Sequence, residues 1–140
     1  MKMLIGYSII LSLICCTPQN TTPVVPSTTN NAFDSSKAQL LKKGTFEGLD
    51  GPTTGTASVY DQSGTKYIVF DPFMSHSGPD LYVYLSKDAN AIDYIRVGKL
   101  QAISGRQIYS VPGNPSLNDY RYVHIWCQAY SVDFARAEIK

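Results

Sequence analysis

Between residues 44 and 140 apolar and polar positions alternate with a period of two. The alternation is broken every few residues by Gly, Pro, Asn or Asp, and no stretch sustains a 3.6-residue period. Residues 80–86 show it most clearly: Leu81, Val83 and Leu85 fall on one face and Tyr82 and Tyr84 on the other. Residues 56–60 and 66–70 flank Asp61-Gln62-Ser63-Gly64, a polar connection ending in Gly, and read as a hairpin. Further strands are expected at 94–97, 107–111, 121–129 and 132–139, separated by Gly98, Gly105 and the loop Pro112-Gly113-Asn114-Pro115. Residues 32–43, where Ala38, Leu40 and Leu41 sit beside Lys37, Lys42 and Lys43, read as a short helical turn or the lead-in to a first strand. About eight short strands at this spacing predict an all-β domain, a single antiparallel β-sandwich with Greek-key-like connections.

The first residues follow a different pattern. Lys2 precedes an apolar run from Met3 to Ile14, long enough for an export-signal core and short of the roughly 20 residues that cross a bilayer. The run ends in Leu13-Ile14-Cys15-Cys16, which resembles the lipobox of bacterial lipoproteins, with a small residue directly before Cys16 as the acceptor. That resemblance implies a signal peptide over 1–15 and a lipid on Cys16. It places the protein in the cell envelope, held to a membrane and facing the periplasm or the cell exterior. Thr17 supplies no acidic retention signal, which favours the outer membrane. Residues 17–31, rich in Pro, Thr and Asn, lack the apolar surface to offset the entropy of ordering them. The domain organisation expected is therefore signal peptide 1–15, lipidated Cys and tether 16–43, and folded domain 44–140. Fully extended, 15 tether residues reach about 45 Å.

Composition narrows the function. A formal net charge of +1 without a Lys/Arg cluster argues against nucleic acid as a partner, because phosphate binding needs a concentrated basic face. Of the 3 cysteines, loss of Cys15 and lipidation of Cys16 would leave Cys127 as the one free thiol. Outside the cytoplasm such a thiol must be buried, ligated, paired with another molecule or used. No Gly-x-Ser-x-Gly elbow, His-Glu-x-x-His helix or phosphate-binding Gly loop suggests an enzyme of those classes.

Along residues 121–129, Val123, Ile125, Cys127 and Ala129 share one face and Tyr122, His124, Trp126 and Gln128 the other. Cys127 thus lies on an apolar face, where it is a buried small hydrophobe, a redox thiol or a ligand to a metal or haem. Met74 and His76 form a Met-x-His pair that copper or a haem iron accepts, if it is not simply a solvent-facing loop. Without Cys-x-x-Cys-His there is no covalent haem attachment motif, and the sequence requires no cofactor. The second class of function is a binding module. Tyr82 and Tyr84, with Tyr122, His124 and Trp126, would make an aromatic face able to pack on a sugar or a protein partner, unless loops or a second sheet cover it.

The segments Gly44-Thr45-Phe46-Glu47-Gly48, Gly55-Thr56-Ala57, Ser77-Gly78-Pro79-Asp80-Leu81-Tyr82-Val83-Tyr84-Leu85, Gly98-Lys99-Leu100, Gly105-Arg106-Gln107, Val123-His124-Ile125-Trp126-Cys127 and Phe134-Ala135-Arg136-Ala137-Glu138 follow one another in an order and spacing that resembles the DM-thirteen family, the Skeletor-type electron-transfer domain. The resemblance covers almost all of 44–140. It implies an all-β extracytoplasmic domain whose signature cysteine is Cys127, acting in electron transfer as a bare thiol or as a ligand to a group such as haem. A redox protein would then be its partner.

Overall fold

The computed structural model describes residues 33–140. The apolar run of 3–14, the lipidation candidate Cys16 and the tether residues 17–31 lie outside them. Among the described residues no helix is long and apolar enough to cross a membrane.

The alternating sequence forms eight strands: β1 (Gln39–Gly48), β2 (Thr53–Gln62), β3 (Thr65–Ser75), β4 (Leu81–Ser86), β5 (Tyr94–Lys99), β6 (Gln107–Ser110), β7 (Tyr122–Cys127) and β8 (Val132–Glu138). Every pairing is antiparallel, in the order β5-β4-β7-β8-β1-β2-β3-β6. The two layers of the expected sandwich are joined through β1. Its first part, Gln39 to Thr45, pairs with β2, and Phe46 to Gly48 pair with β8. At the changeover the chains come close: a Cβ on Gly44 would lie 2.2 Å from the carbonyl oxygen of Glu138, which only glycine avoids. The sheet then curls until its edge strands nearly meet. Just past β5, Gln101 donates its backbone N–H to Tyr109 Oη at 3.0 Å and its side-chain amide to the Ile108 carbonyl at 2.7 Å.

Local chemistry explains where these strands start and stop. The β2–β3 hairpin turns at Ser63 and Gly64, both at positive φ (53° and 84°), as a two-residue hairpin loop of matching twist needs. Asp61 Oδ1 accepts the Gly64 N–H at 3.0 Å. β3 does not stop at Phe70 but continues through Asp71 and Pro72 to Ser75. A register shift against β2 between Gly55 and Ala57 absorbs the proline, which has no N–H for the ladder. Residues 35–37 form a turn, and β1 begins at Gln39, so the boundary drawn after Lys43 falls within a strand. Most of β1 is exposed, which blurs the alternation that would have revealed it. Phe33 also belongs to the fold, packing its ring on Tyr60 and Tyr67 at 5.2 and 5.3 Å.

Leu81, Val83 and Leu85 of β4 face Val123, Ile125 and Cys127 of β7 in the core, as their spacing predicts. The other layer contributes Val59, Ile68, Phe70 and Phe73, and Phe46 meets Phe70 edge-on at 5.0 Å. Small Ala57, Ala135 and Ala137 let the layers approach. On β8 the ladder with β7 slips between Ile125 and Trp126, so that Trp126 pairs with Asp133 and Phe134 is the extra residue. This bulge turns Phe134 inward and leaves Asp133 on the outer face beside Trp126 and His124.

Two outcomes follow. Ile125→Ala should lower unfolding free energy by about 2–5 kcal/mol in denaturant titrations, because the cavity opens between packed layers. Burial pushes the Tyr109 hydroxyl up to about 12 from its usual value. Between about pH 10 and that value the folded state holds a proton that the unfolded chain has lost, so stability should fall as pH rises through this window and be unaffected below it. Chemical denaturation across the window should show this loss reduced in Tyr109→Phe.

Candidate functional site

Cys127 ends β7 with its side chain directed inward and fully buried. Its Sγ–H donates to the Pro79 carbonyl at 3.0 Å. Pro79 belongs to the 76–80 loop between β3 and β4 and is itself exposed, so the buried sulfur is bonded to a residue that reaches the surface. Asp80 fixes the end of that loop by accepting the Gln128 N–H at 3.0 Å. Gly78 lets it lie flat on the core: a Cβ there would stand 2.5 Å from the Phe134 ring. At the other end of the loop, His76 stacks on Phe134 with centroids 4.4 Å apart and planes 14° from parallel. Its Nδ1 is buried and has no hydrogen-bond partner.

One loop therefore carries His76 and covers Cys127, two of the expected site residues. Met74 does not join them, being 60% exposed. Among the described residues no three His, Cys, Asp or Glu side chains gather to hold a metal. A haem does not fit this arrangement either. Its iron would have to take the Cys127 sulfur from its bond to Pro79, and its macrocycle would have to displace the core around Leu81 and Phe134.

The aromatic face differs from the open platform that the alternation suggested. Tyr84 is buried between Tyr94, stacked at 4.2 Å, and Trp126 at 5.9 Å. Its hydroxyl donates to Gln128 Oε1 at 3.0 Å, an oxygen that Arg96 also contacts. Burial raises the pKa of that hydroxyl. Tyr82 lies under the Arg96 guanidinium at 4.1 Å. His124 is fully buried. Tyr82, Tyr122 and Trp126 keep partial exposure, while Tyr94 and Arg96 of β5 lie over Tyr84 and Tyr82.

His124 takes part in a network that the sequence did not reveal. Its Nδ1 lies 2.6 Å from Asp133 Oδ2 and its Nε2 lies 2.8 Å from Ser86 Oγ. This is the connectivity of an Asp-His-Ser relay, but not the setting of one. Ser86 is fully buried and donates its hydroxyl to the Asp88 carbonyl at 2.6 Å, so no acyl group can reach it. The network instead anchors the 87–93 loop. Within that loop the Asp88 carboxylate accepts the N–H groups of Asp93, Ile92 and Asn90, which hold its pKa below the usual carboxylate value. Asp133 reaches His124 only because the β8 bulge keeps it on the outer face, and residues nine apart in the chain carry no local signal of that pairing.

Set against known families, residues 45–139 match the family model described as electron transfer DM13. No curated protein and no solved structure matches the chain.

The network makes a stability prediction. Asp133→Ala strips the buried Nδ1 of its partner, and Ser86→Ala leaves Nε2 only the longer contact to the Asp88 carbonyl at 3.3 Å. Each should cost about 1–3 kcal/mol. Because both act through one ring, the double variant should deviate from additivity by at least about 0.5 kcal/mol in a double-mutant cycle, read from denaturant midpoints.

Proposed function

Because the chain belongs to the electron transfer DM13 family, whose model spans residues 45–139, we propose that it is a lipid-anchored extracytoplasmic redox accessory with Cys127 as its working thiol. The observation that carries the cysteine assignment is its placement. The sulfur is fully buried and bonded to the backbone of the 76–80 loop through the carbonyl of Pro79, itself an exposed residue. The lipobox-like Leu13-Ile14-Cys15-Cys16 supports attachment through Cys16 to a membrane, with the outer membrane favoured by Thr17.

The geometry favours a bare thiol over a liganded one. Cys127 is the one cysteine among the described residues, and with Cys15 cleaved off and Cys16 lipidated a disulfide at Cys127 would take its second sulfur from a partner protein. When the 76–80 loop lifts, the Cys127 sulfur gives up its proton and attacks one sulfur of a partner disulfide. The partner's S–S bond breaks, a Cys127–partner S–S bond forms, and the released partner sulfur takes up a proton. The sulfur is protected in the closed state because its neighbours are apolar and its proton is shared with Pro79. The alternative, a module that binds carbohydrate or protein through the aromatic face, retains Tyr82, Tyr122 and Trp126 but loses Tyr84 and His124 to burial.

The test is the rate at which Cys127 reacts with a chromogenic thiol reagent in the folded full chain, with Cys127→Ser subtracting the contribution of Cys15 and Cys16. Reaction in the native state, at a rate that saturates with reagent because the loop must open first, is the expected result. Protection lasting until global unfolding would make Cys127 a core residue and overturn the assignment. Cys127→Ser should itself fold, at a cost below about 1.5 kcal/mol, since the serine hydroxyl can donate to the same Pro79 carbonyl.

A further inference from the structure

A second feature lies on the outer face of the other layer, independent of Cys127. Lys43 of β1, Ser58 of β2 and Val69 of β3 are neighbours in register and form a row across three adjacent strands. Two segments outside the ladder rise around this row: the turn carrying Ser35 on one side, and the loop carrying Arg106 on the other. Arg106 is fixed by an ion pair to Asp71 at 3.3 Å and lies 5.9 Å from the Phe33 ring. Between them is a groove of about 600 Å³ lined by Ser35, Lys43, Ser58, Tyr60, Asp71 and Arg106, with Val69 buried beneath. That volume falls within the range of about 300–1,000 Å³ typical of small-molecule sites.

The polar groups of the groove are not occupied by one another. Among the described residues the Lys43 ammonium has no ion pair, and the hydroxyls of Ser35, Ser58 and Tyr60 have no hydrogen-bond partner. The one carboxylate, Asp71, is matched to Arg106, which leaves a single uncompensated positive charge. One free cation among three hydroxyls suits a ligand with one negative charge and several hydroxyl groups. A phosphate dianion would call for more cationic donors than this. The half-buried ring of Tyr60 adds apolar surface for the C–H face of a sugar ring.

We propose that this groove binds an acidic saccharide, with Lys43 receiving the carboxylate of a hexuronate unit and Ser58, Tyr60 and Ser35 bonding its hydroxyls. The cation sits on a strand and the ring of Tyr60 is braced by Phe33, so the site is built on rigid elements.

The experiment titrates the folded full chain with galacturonate oligomers, with the matching neutral oligomers and with inorganic phosphate, following backbone amide shifts and heat of binding. Saturable binding of the acidic oligomers is expected, with perturbed amides at Lys43, Ser58 and Tyr60 and at least about tenfold weaker binding of the neutral ones, the factor that loss of one charge-assisted bond brings. Lys43→Gln, an exposed position whose change should leave the fold intact, should reduce acidic binding to the neutral level. Ser58→Ala, lacking one hydroxyl, should weaken both sugars. Absence of saturable binding by the acidic oligomers, equal binding by Lys43→Gln, or binding of phosphate in preference to sugar would each overturn the proposal.

Discussion

The two-layer fold rests on β1 pairing with two different strands along its length. Its first part completes the ladder of β2 and its last three residues complete that of β8, so the layers are bonded through one continuous backbone. Layers held only by side-chain packing can slide, because dispersion contacts have no preferred register. A shared strand removes that freedom, since any slip would break backbone hydrogen bonds in both layers at once. The small side chains of Ala57, Ala135 and Ala137 then determine how near the layers come, and the rings of Phe46, Phe70 and Phe73 fill what remains.

Within this frame β7 separates two kinds of chemistry by the simplest geometric rule of a strand. Cys127 faces inward to an apolar core, and His124, three residues earlier, faces outward to a polar network. The two face opposite sides of the strand, the sulfur bonded to the 76–80 loop and the imidazole to Ser86 of β4 and Asp133 of β8. The imidazole has its bonding capacity committed to Asp133 and Ser86 and serves to hold its loop in place.

Much of this was legible in the sequence, and the limits have physical causes. Period-two alternation identified β4 and β7 and assigned Val83, Ile125 and Cys127 to the core, because those strands have one apolar and one polar face. β1 was legible only as a short helical turn or the lead-in to a first strand, because it is exposed along most of its length and so carries little contrast to read. The course of β3 beyond Phe70 was hidden by Pro72, a residue that usually ends a ladder and here is tolerated by a shift in the partner. The burial of Tyr84 and His124 was beyond reach for another reason. It depends on Tyr94 and on the 87–93 loop folding back, and on a bulge that changes which way Asp133 points. Tertiary events of this sort leave no periodicity. The groove beside Lys43 is similar, since Ser35, Ser58 and Arg106 are far apart in the chain and are brought together only by strand pairing and the segments that flank it.

The near-closure of that curl gives the shell a seam. Adjacent strands elsewhere are joined by backbone ladders, whereas β5 and β6 meet through Gln101, Tyr109 and Ile108 in contacts that a few side-chain rotations can undo. Thermal breathing should be concentrated along this line, with the rest of the wall acting as a hinge-free spring. β5 and β6 each keep one edge without a ladder partner, the kind of edge through which β proteins aggregate, and the bonds of Gln101 lie across the seam between them.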